Sequence, residues 1–255
     1  MLRSVGLGTR GESLRLYTPD NALLFSNLDA RRPGYARAVE IAREAGYAPV
    51  TRLAGGHAAV FLEASVAFAW SSADAEAQRR IPDRFERLTR WVVHALCDLG
   101  LDARVGEVAG EYCPGEYSVN LDGSVKVMGV GQRVIRGAAH VGGVITVGAT
   151  AELKEILIPI YAALDLEFVP ETAGGLADFD SGLTTERTIE ALTAAVDADG
   201  YSTTNATFDP DLHRAAQALT PLHSAERRPG AGSALRPNQD PRSSKTLIQR
   251  TKDSD

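Results

Sequence analysis

The chain has 255 residues, 44% of them apolar, and a formal net charge of −6. That length and apolar share suit one well-buried domain with or without an appendage, and the acidic balance argues against a general nucleic-acid binder. No apolar run reaches the ~18 to 20 residues a bilayer needs, and the N-terminus has no apolar core followed by a cleavage site, so a cytoplasmic protein with no membrane contact is expected.

In chain order, Tyr35 to Gly46 places Ala38, Ile41, Ala42 and Ala45 on one face and ends at a glycine suited to a helix C-terminus, which predicts a short amphipathic helix. Segments with β character follow at Ala48 to Leu53, Ala58 to Leu62 and Val66 to Trp70. A stronger helix is predicted from Pro82 to Leu99, where Phe85, Leu88, Trp91, Val92, Ala95 and Leu96 recur at three- and four-residue spacing, with Cys97 beside these core positions. Further strands are expected at Tyr117 to Leu121, Ser124 to Arg136 and Ala138 to Val147. Asp122-Gly123 between two of them signals an antiparallel hairpin, since that pair tolerates the positive φ angles of a tight turn. Helices are expected again at Ala151 to Leu164 and Thr184 to Ala198, and the mixed order of elements indicates an α+β fold.

Residues 223–255 are rich in Pro, Gly, Ser and charge and show no apolar period, so a flexible tail is expected after a folded body at residues 1–222. From Ala225 onward seven Lys/Arg face four Asp/Glu, so the body is more acidic than the whole chain. Basic residues at chosen positions of such a body suggest that those positions bind something anionic.

Three segments could carry chemistry. In Arg52 to Phe61, Gly55-Gly56 after a strand would let backbone N–H groups approach a carbonyl or phosphate, with Arg52 as a fixed charge and His57 and Ala58 beside them; a simple turn is the alternative. In Gly110 to Val119, Cys113 sits among polar and turn-forming residues, the partial exposure a reactive thiol needs. Two cysteines are too few for a disulfide framework and lack zinc spacing, so no metal site is expected. The hairpin through Asp122-Gly123 could return Lys126 toward Cys113, although a solvent-facing lysine and an incidental cysteine are the plainer alternatives. The third segment, Gln132 to Gly143, combines Arg133, Arg136 and His140 with three glycines and could line a pocket rim or form a plain hairpin.

In this order and at these separations, the three segments resemble the biotin/lipoate protein ligase catalytic domain family over roughly Leu16 to Ala198. Arg52 to Phe61 is similar to the family's "RR-x-GG-x-AV" lipoyl-pocket motif, with Leu53 and Ala54 in place of the second arginine and the usual Ser/Thr. Lys126 to Arg133 is similar to its "K-x-x-G-x-x-Q-R" run, whose lysine contacts the acyl carbonyl. The resemblance implies a class II aminoacyl-tRNA synthetase/biotin synthetase-like fold, a mixed sheet flanked by helices.

Within the family, Gly110 to Tyr117 is most similar to the "Y-C-P-G-x-Y" segment of cysteine-dependent octanoyltransferases. The resemblance therefore implies an octanoyl or lipoyl protein acyltransferase. Cys113 would form an acyl thioester, Lys126 would orient the acyl carbonyl and favour the thiolate, and Gly55-Gly56 would flank the developing oxyanion. Arg52, His57, Ala58, Gly129, Gln132, Arg133 and His140 would bind substrate, with His140 as a proton acceptor. The acyl slot would be lined from Ala58 to Phe61 and Val127 to Val130. No cofactor is required on this reading. The donor would be an acyl-carrying protein, glycine cleavage H protein or acyl carrier protein, and the acceptors lipoyl domains of 2-oxoacid dehydrogenases, which usually present an acidic surface. An ATP-dependent lipoate-protein ligase, using ATP and Mg, is the alternative, although the extra C-terminal domain of such ligases is not expected here. A non-catalytic acyl- or carrier-binding protein is the alternative of another class.

Overall fold

The computed structural model describes residues 1–204 and 209–225 and the strand at 246–249. The elements run α1 (Leu2–Gly6), β1 (Ser13–Tyr17), β2 (Ala22–Phe25), a 3-10 turn (Asp29–Arg31), α2 (Tyr35–Glu44), β3 (Ala48–Thr51), β4 (Ala59–Phe61), β5 (Ser65–Ala73) and α3 (Ile81–Asp98). They continue β6 (Ala103–Val105), β7 (Val119–Leu121), β8 (Val125–Ile135), β9 (Ala138–Thr146), α4 (Thr150–Ala163), α5 (Thr185–Ala198), β10 (Thr203–Thr204), α6 (Pro210–His223) and β11 (Thr246–Gln249).

An eight-stranded sheet in the order β10-β11-β1-β5-β9-β8-β7-β6 is antiparallel throughout. The mixed pairing expected of the fold is confined to a second, three-stranded sheet, where β2 lies parallel to β3 and antiparallel to β4. Each sheet has its own core. The helical stripe of α3, with Leu88, Trp91, Val92, Ala95 and Leu96 buried, packs with α5 on the large sheet, and Trp91 meets Trp70 of β5 at 5.1 Å between ring centroids. Such an aromatic pair adds to the area it buries. The stripes of α2 and α4 enclose the small sheet around Leu23, Phe25, Val60 and Leu62. Cys97 is exposed, because it falls one residue beyond the buried Ala95 and Leu96 on the turning surface of α3.

The hairpin between β7 and β8 forms as its dipeptide dictates, with φ of +54° at Asp122 and +71° at Gly123. Glycine is needed for a different reason where β9 crosses β8 and β5. A Cβ on Gly143 would lie 2.1 Å from the Gly129 carbonyl oxygen and 2.5 Å from Phe68 Cζ.

The tail expected to be flexible contributes β11, which pairs with β1 and β10. The free edge of β1 offers unpaired N–H and C=O groups, and backbone pairing there satisfies them whatever the composition of the flanking residues. Residues 226–245 and 250–255 of that expected tail lie outside the described residues. Among the described residues no helix is long and apolar enough to cross a membrane.

Candidate active site

A cavity of ≈ 960 Å³ lies where the two sheets face one another, lined by Phe68, Val130 and Val144 from the large sheet and Leu24, Ala59 and Phe61 from the small one. Strand alternation decides which residues reach it. On β4, Ala59 and Phe61 face the cavity while Val60 packs into the core; Ala58, just before the strand, is fully buried as well. Ala58 is therefore not part of the lining, contrary to expectation, and Val127 and Met128 are core residues of β8. Gly129, Gln132, Arg133 and His140 do line the cavity, as do Arg52, Gly55, Gly56, Cys113 and Lys126.

Cys113 is held from four directions. Its backbone has φ +44°, a left-handed conformation uncommon outside glycine, of a kind that costs about 1–3 kcal/mol and persists only where its surroundings enforce it. Its N–H donates to the Tyr161 hydroxyl at 2.7 Å, and that hydroxyl donates to the Ala58 carbonyl at 2.9 Å. Its carbonyl accepts from Lys126 Nζ at 2.8 Å. Its Sγ accepts from the His57 backbone N–H at 3.2 Å and from Arg52 Nη2 at 3.4 Å. The same Arg52 nitrogen donates to the His57 carbonyl at 2.6 Å, so one guanidinium closes the Gly55-Gly56 loop against the sulfur.

Lys126 and Cys113 do come together, but not as the sequence suggests. The ammonium lies beneath the Cys113 loop, donating to Glu111 Oε1 at 2.8 Å, to the Tyr112 carbonyl at 2.9 Å and to the Cys113 carbonyl at 2.8 Å. An ammonium has three protons, and these contacts use them all, leaving none for the sulfur. In this geometry Lys126 fixes the loop that carries the thiol, because the hairpin returns it under the backbone at Tyr112 and Cys113.

Glu111 completes that support. It is buried and accepts from the Val108 and Gly115 N–H groups and the Ser118 hydroxyl, at 2.9, 3.2 and 2.6 Å, as well as from Lys126. Glu111, Tyr161 and Asp29, whose carboxylate meets His57 Nδ1 at 3.0 Å, are the site residues that sequence patterns did not single out. Glu111 is adjacent to the Tyr-Cys-Pro-Gly segment, which was the only available signal. Tyr161 occupies an ordinary apolar position of its helix.

The other candidates have distinct placements. Gln132 is tied at both ends of its amide, accepting from Arg84 Nε at 2.6 Å and donating to the Ile81 carbonyl at 3.2 Å, which anchors the start of α3 to the cavity wall. Arg133 is exposed at the rim and Arg136 is exposed on the same hairpin; neither forms an ion pair among the described residues. His57 does not line the cavity with its ring.

His140 lines the cavity with Nδ1 against the Ser71 hydroxyl at 3.0 Å. Burial pushes its pKa down to about 4, with the Met1 amino group and Arg15 adding to the shift. A base that weak is a poor proton acceptor near neutrality, which removes the role the sequence suggested. The shift also has a stability consequence. Between pH 6.5 and 4 the unfolded chain protonates this imidazole and the folded chain does not, so stability present above 6.5 falls as the pH drops through that window, by about 3 kcal/mol in all. Urea midpoints at pH 7, 5 and 4 should show a shallower acid loss for His140→Gln than for the wild type; parallel losses would contradict this.

Gly56 has φ +88°, and a Cβ there would lie 2.6 Å from Cys113 Sγ. Gly56→Ala should cost about 1–2 kcal/mol from its left-handed backbone alone and displace the sulfur from its donors. Thiol labelling of Cys113 together with urea denaturation measures both effects. Wild-type values in both would show that the loop yields without consequence.

Among the described residues no group of three or more His, Cys, Asp or Glu could hold a metal ion. The fold and site together define a two-sheet α+β domain with a loop-borne thiol in the wall of a largely apolar cavity. The chain belongs to the lipoyl protein ligase A/B catalytic domain family, whose model matches residues 1–196. It is 28% identical over 179 residues to an octanoyl-GcvH:protein N-octanoyltransferase of Exiguobacterium sp., covering 66% of this chain and 63% of the relative. An enzyme of the same name from Anoxybacillus flavithermus is 27% identical over 202 residues, with 75% and 71% covered. The chain thus spans less than two thirds of the Exiguobacterium relative.

The solved structures it resembles include lipoate-protein ligase A bound with ATP, at TM-score 0.69 and 20% identity, covering 86% of this chain and 85% of that one. Another is a bi-partite lipoate protein ligase studied with its E2 lipoyl domain from Thermoplasma acidophilum, at TM-score 0.62 and 19% identity, covering 82% and 79%. These likenesses establish the α+β fold.

Proposed function

We propose that the protein is a cysteine-dependent octanoyl or lipoyl transferase acting on the lysine of a lipoyl domain. The observation that supports this most is the Cys113 sulfur, set in the wall of an apolar cavity between the His57 N–H and Arg52. The curated octanoyltransferases named above point the same way.

The Cys113 sulfur attacks the acyl carbonyl of the donor's amide, the thiol proton passes to the amide nitrogen, and the electron pair of that carbonyl moves to oxygen. A Cβ on Gly56 would lie 2.6 Å from the sulfur, and neither Gly55 nor Gly56 N–H has an acceptor among the described residues; on this reading these N–H groups receive the oxyanion. One such donor can contribute roughly 3 kcal/mol to a transition state. The oxyanion then collapses, the donor's lysine nitrogen leaves with a proton, and the acyl group remains on sulfur as a thioester. The amine of the acceptor lysine attacks next, sulfur leaves with the electron pair of the S–C bond, and it takes up the proton the amine gives up, restoring the thiol. The apolar wall of Leu24, Phe61, Phe68 and Val144 takes the aliphatic chain. Arg133 and Arg136 meet the acidic surface of the acceptor, in the cytoplasm.

The test is an intact-mass measurement after incubation with octanoylated GcvH in ATP-free buffer. One octanoyl group should appear on Cys113 and disappear when a lipoyl domain is added. Failure to form any adduct, with transfer appearing only when ATP and free lipoate are supplied, would replace this reading with a ligase. A docking prediction accompanies it. Arg133→Glu with Arg136→Glu should slow transfer at low salt by about tenfold and the difference should shrink at about 0.5 M salt, where exposed charges are screened. Equal rates at both salts would exclude the two arginines from docking.

A further inference from the structure

The Gly55-Gly56 loop that delivers an N–H to the sulfur is, by composition, the least constrained part of the site, since glycine loses more conformational freedom than any other residue when it is ordered. Something must hold it. Arg52 holds the His57 carbonyl, and Tyr161 holds the next carbonyl at Ala58. The third restraint is on the imidazole of His57, and it comes from outside the loop.

Asp29 follows β2 in a 3-10 turn and is fully buried. Its Oδ2 accepts the Ser26 N–H at 2.8 Å, while its own N–H donates to the Ser26 hydroxyl at 3.3 Å, as does Leu28 N–H at 3.1 Å. This reciprocal pattern fixes the carboxylate on its own turn and leaves Oδ1 for a single side-chain partner, His57 Nδ1 at 3.0 Å. A buried carboxylate is costly unless paired. The His57 ring neither lines the cavity nor hydrogen-bonds the sulfur, so what reaches the sulfur from this residue is its backbone N–H.

We infer that Asp29 is a positioning residue for the thiol: it tethers the His57 imidazole, and the tether keeps the His57 N–H aimed at Cys113 Sγ. The inference rests on Cys113 being the acylated residue, yet its geometry concerns the sulfur alone. The consequence for the reaction follows from charge. When the thioester breaks, the electron pair of the S–C bond stays on sulfur, and an N–H fixed in advance meets that charge with no reorganisation.

The test uses the full chain carrying Cys97→Ser, which removes the exposed second thiol. The rate of Cys113 alkylation by iodoacetamide is read without any acyl donor, thioester formation from octanoylated GcvH is read separately, and thermal unfolding monitors the fold. His57→Ala should slow alkylation by about tenfold, the scale of one lost hydrogen bond to a charged group. Asp29→Ala should do the same, and the double variant should be no slower than either. His57→Asn should stay within about threefold of wild type, because its carboxamide N–H can take the place of Nδ1–H while its side chain cannot carry a proton between groups. If Asp29→Ala does not fold, His57→Ala and His57→Asn still decide the matter, since the His57 side chain is 26% exposed and tolerates replacement. His57→Asn as slow as His57→Ala would overturn the inference and make the imidazole itself the active group. Wild-type alkylation in His57→Ala would overturn it too. Alkylation following this pattern with no thioester from the octanoyl carrier would leave the tether standing and remove the acyl-transfer reading.

Discussion

Cys113→Ser should abolish octanoyl transfer, with a loss of at least about 10³-fold, the scale seen when an attacking nucleophile is removed and binding alone is left. The substitution is close to isosteric. The oxygen would sit where the sulfur now accepts from His57 N–H and Arg52, and the restraints on the residue's own N–H and carbonyl, from Tyr161 and Lys126, do not involve the side chain. The fold should therefore persist, the cavity should still take up the acyl chain, and only the covalent step should vanish. Binding of octanoylated GcvH at wild-type affinity, with no thioester by mass and no transfer to a lipoyl domain, is the expected result. Full transfer by Cys113→Ser would show that the thiol is a bystander. Full activity with ATP and free lipoate in the same variant would identify the protein as a ligase, the activity named for lipoate-protein ligase A, whose fold it resembles.

Most of the fold was legible because its elements follow strong local rules. The four helices expected from apolar periodicity form at α2, α3, α4 and α5, within two residues of their predicted ends, and Thr184 caps α5 by accepting from Arg187 N–H at 3.3 Å. The Asp122-Gly123 turn was readable from two residues. What escaped were elements whose identity is settled by partners. The strands β1 and β2 lack a long apolar alternation and owe their form to pairing with β5 and with β3 and β4. In the site, composition and spacing made the glycine loop, the cysteine and the lysine no more than candidates beside a simple turn, an incidental cysteine and a solvent-facing lysine, and the family resemblance is what raised them together. Their mutual geometry was not legible. Spacing made a meeting of Lys126 and Cys113 possible, but it did not show that the buried Glu111 and the Tyr112 and Cys113 carbonyls take the ammonium's three protons and leave none for the sulfur. Asp29 and Tyr161 were invisible for the same reason, since each acts across 28 and 48 residues of sequence on a single atom of its partner.

The buried pair Glu111–Lys126 gives the second large effect, and it separates stability from positioning. Both side chains are almost wholly shielded, at 0% and 1% exposure, and their charged atoms are 2.8 Å apart. Removing one partner leaves an uncompensated charge in the interior, so Lys126→Met should cost about 3–5 kcal/mol, a large fraction of the roughly 5–15 kcal/mol that typically holds a domain together. Pairing it with Glu111→Gln removes the stranded charge, and the carbonyl oxygen of the introduced carboxamide can still accept from the Val108 N–H or the Ser118 hydroxyl. The double variant should therefore be more stable than Lys126→Met by roughly 2 kcal/mol, and urea denaturation of all four members of the cycle, with the cost of Glu111→Gln alone subtracted, gives the coupling between the two residues. Thioester formation should not recover with it. The Cys113 carbonyl no longer has its ammonium donor, and the +44° backbone that aims the sulfur at its donors loses one of its restraints. A stable double variant that acylates as fast as wild type would show that Lys126 supports the fold alone. A stable double variant that remains slow would place the lysine in the machinery that orients Cys113, acting through the carbonyl of the residue it serves.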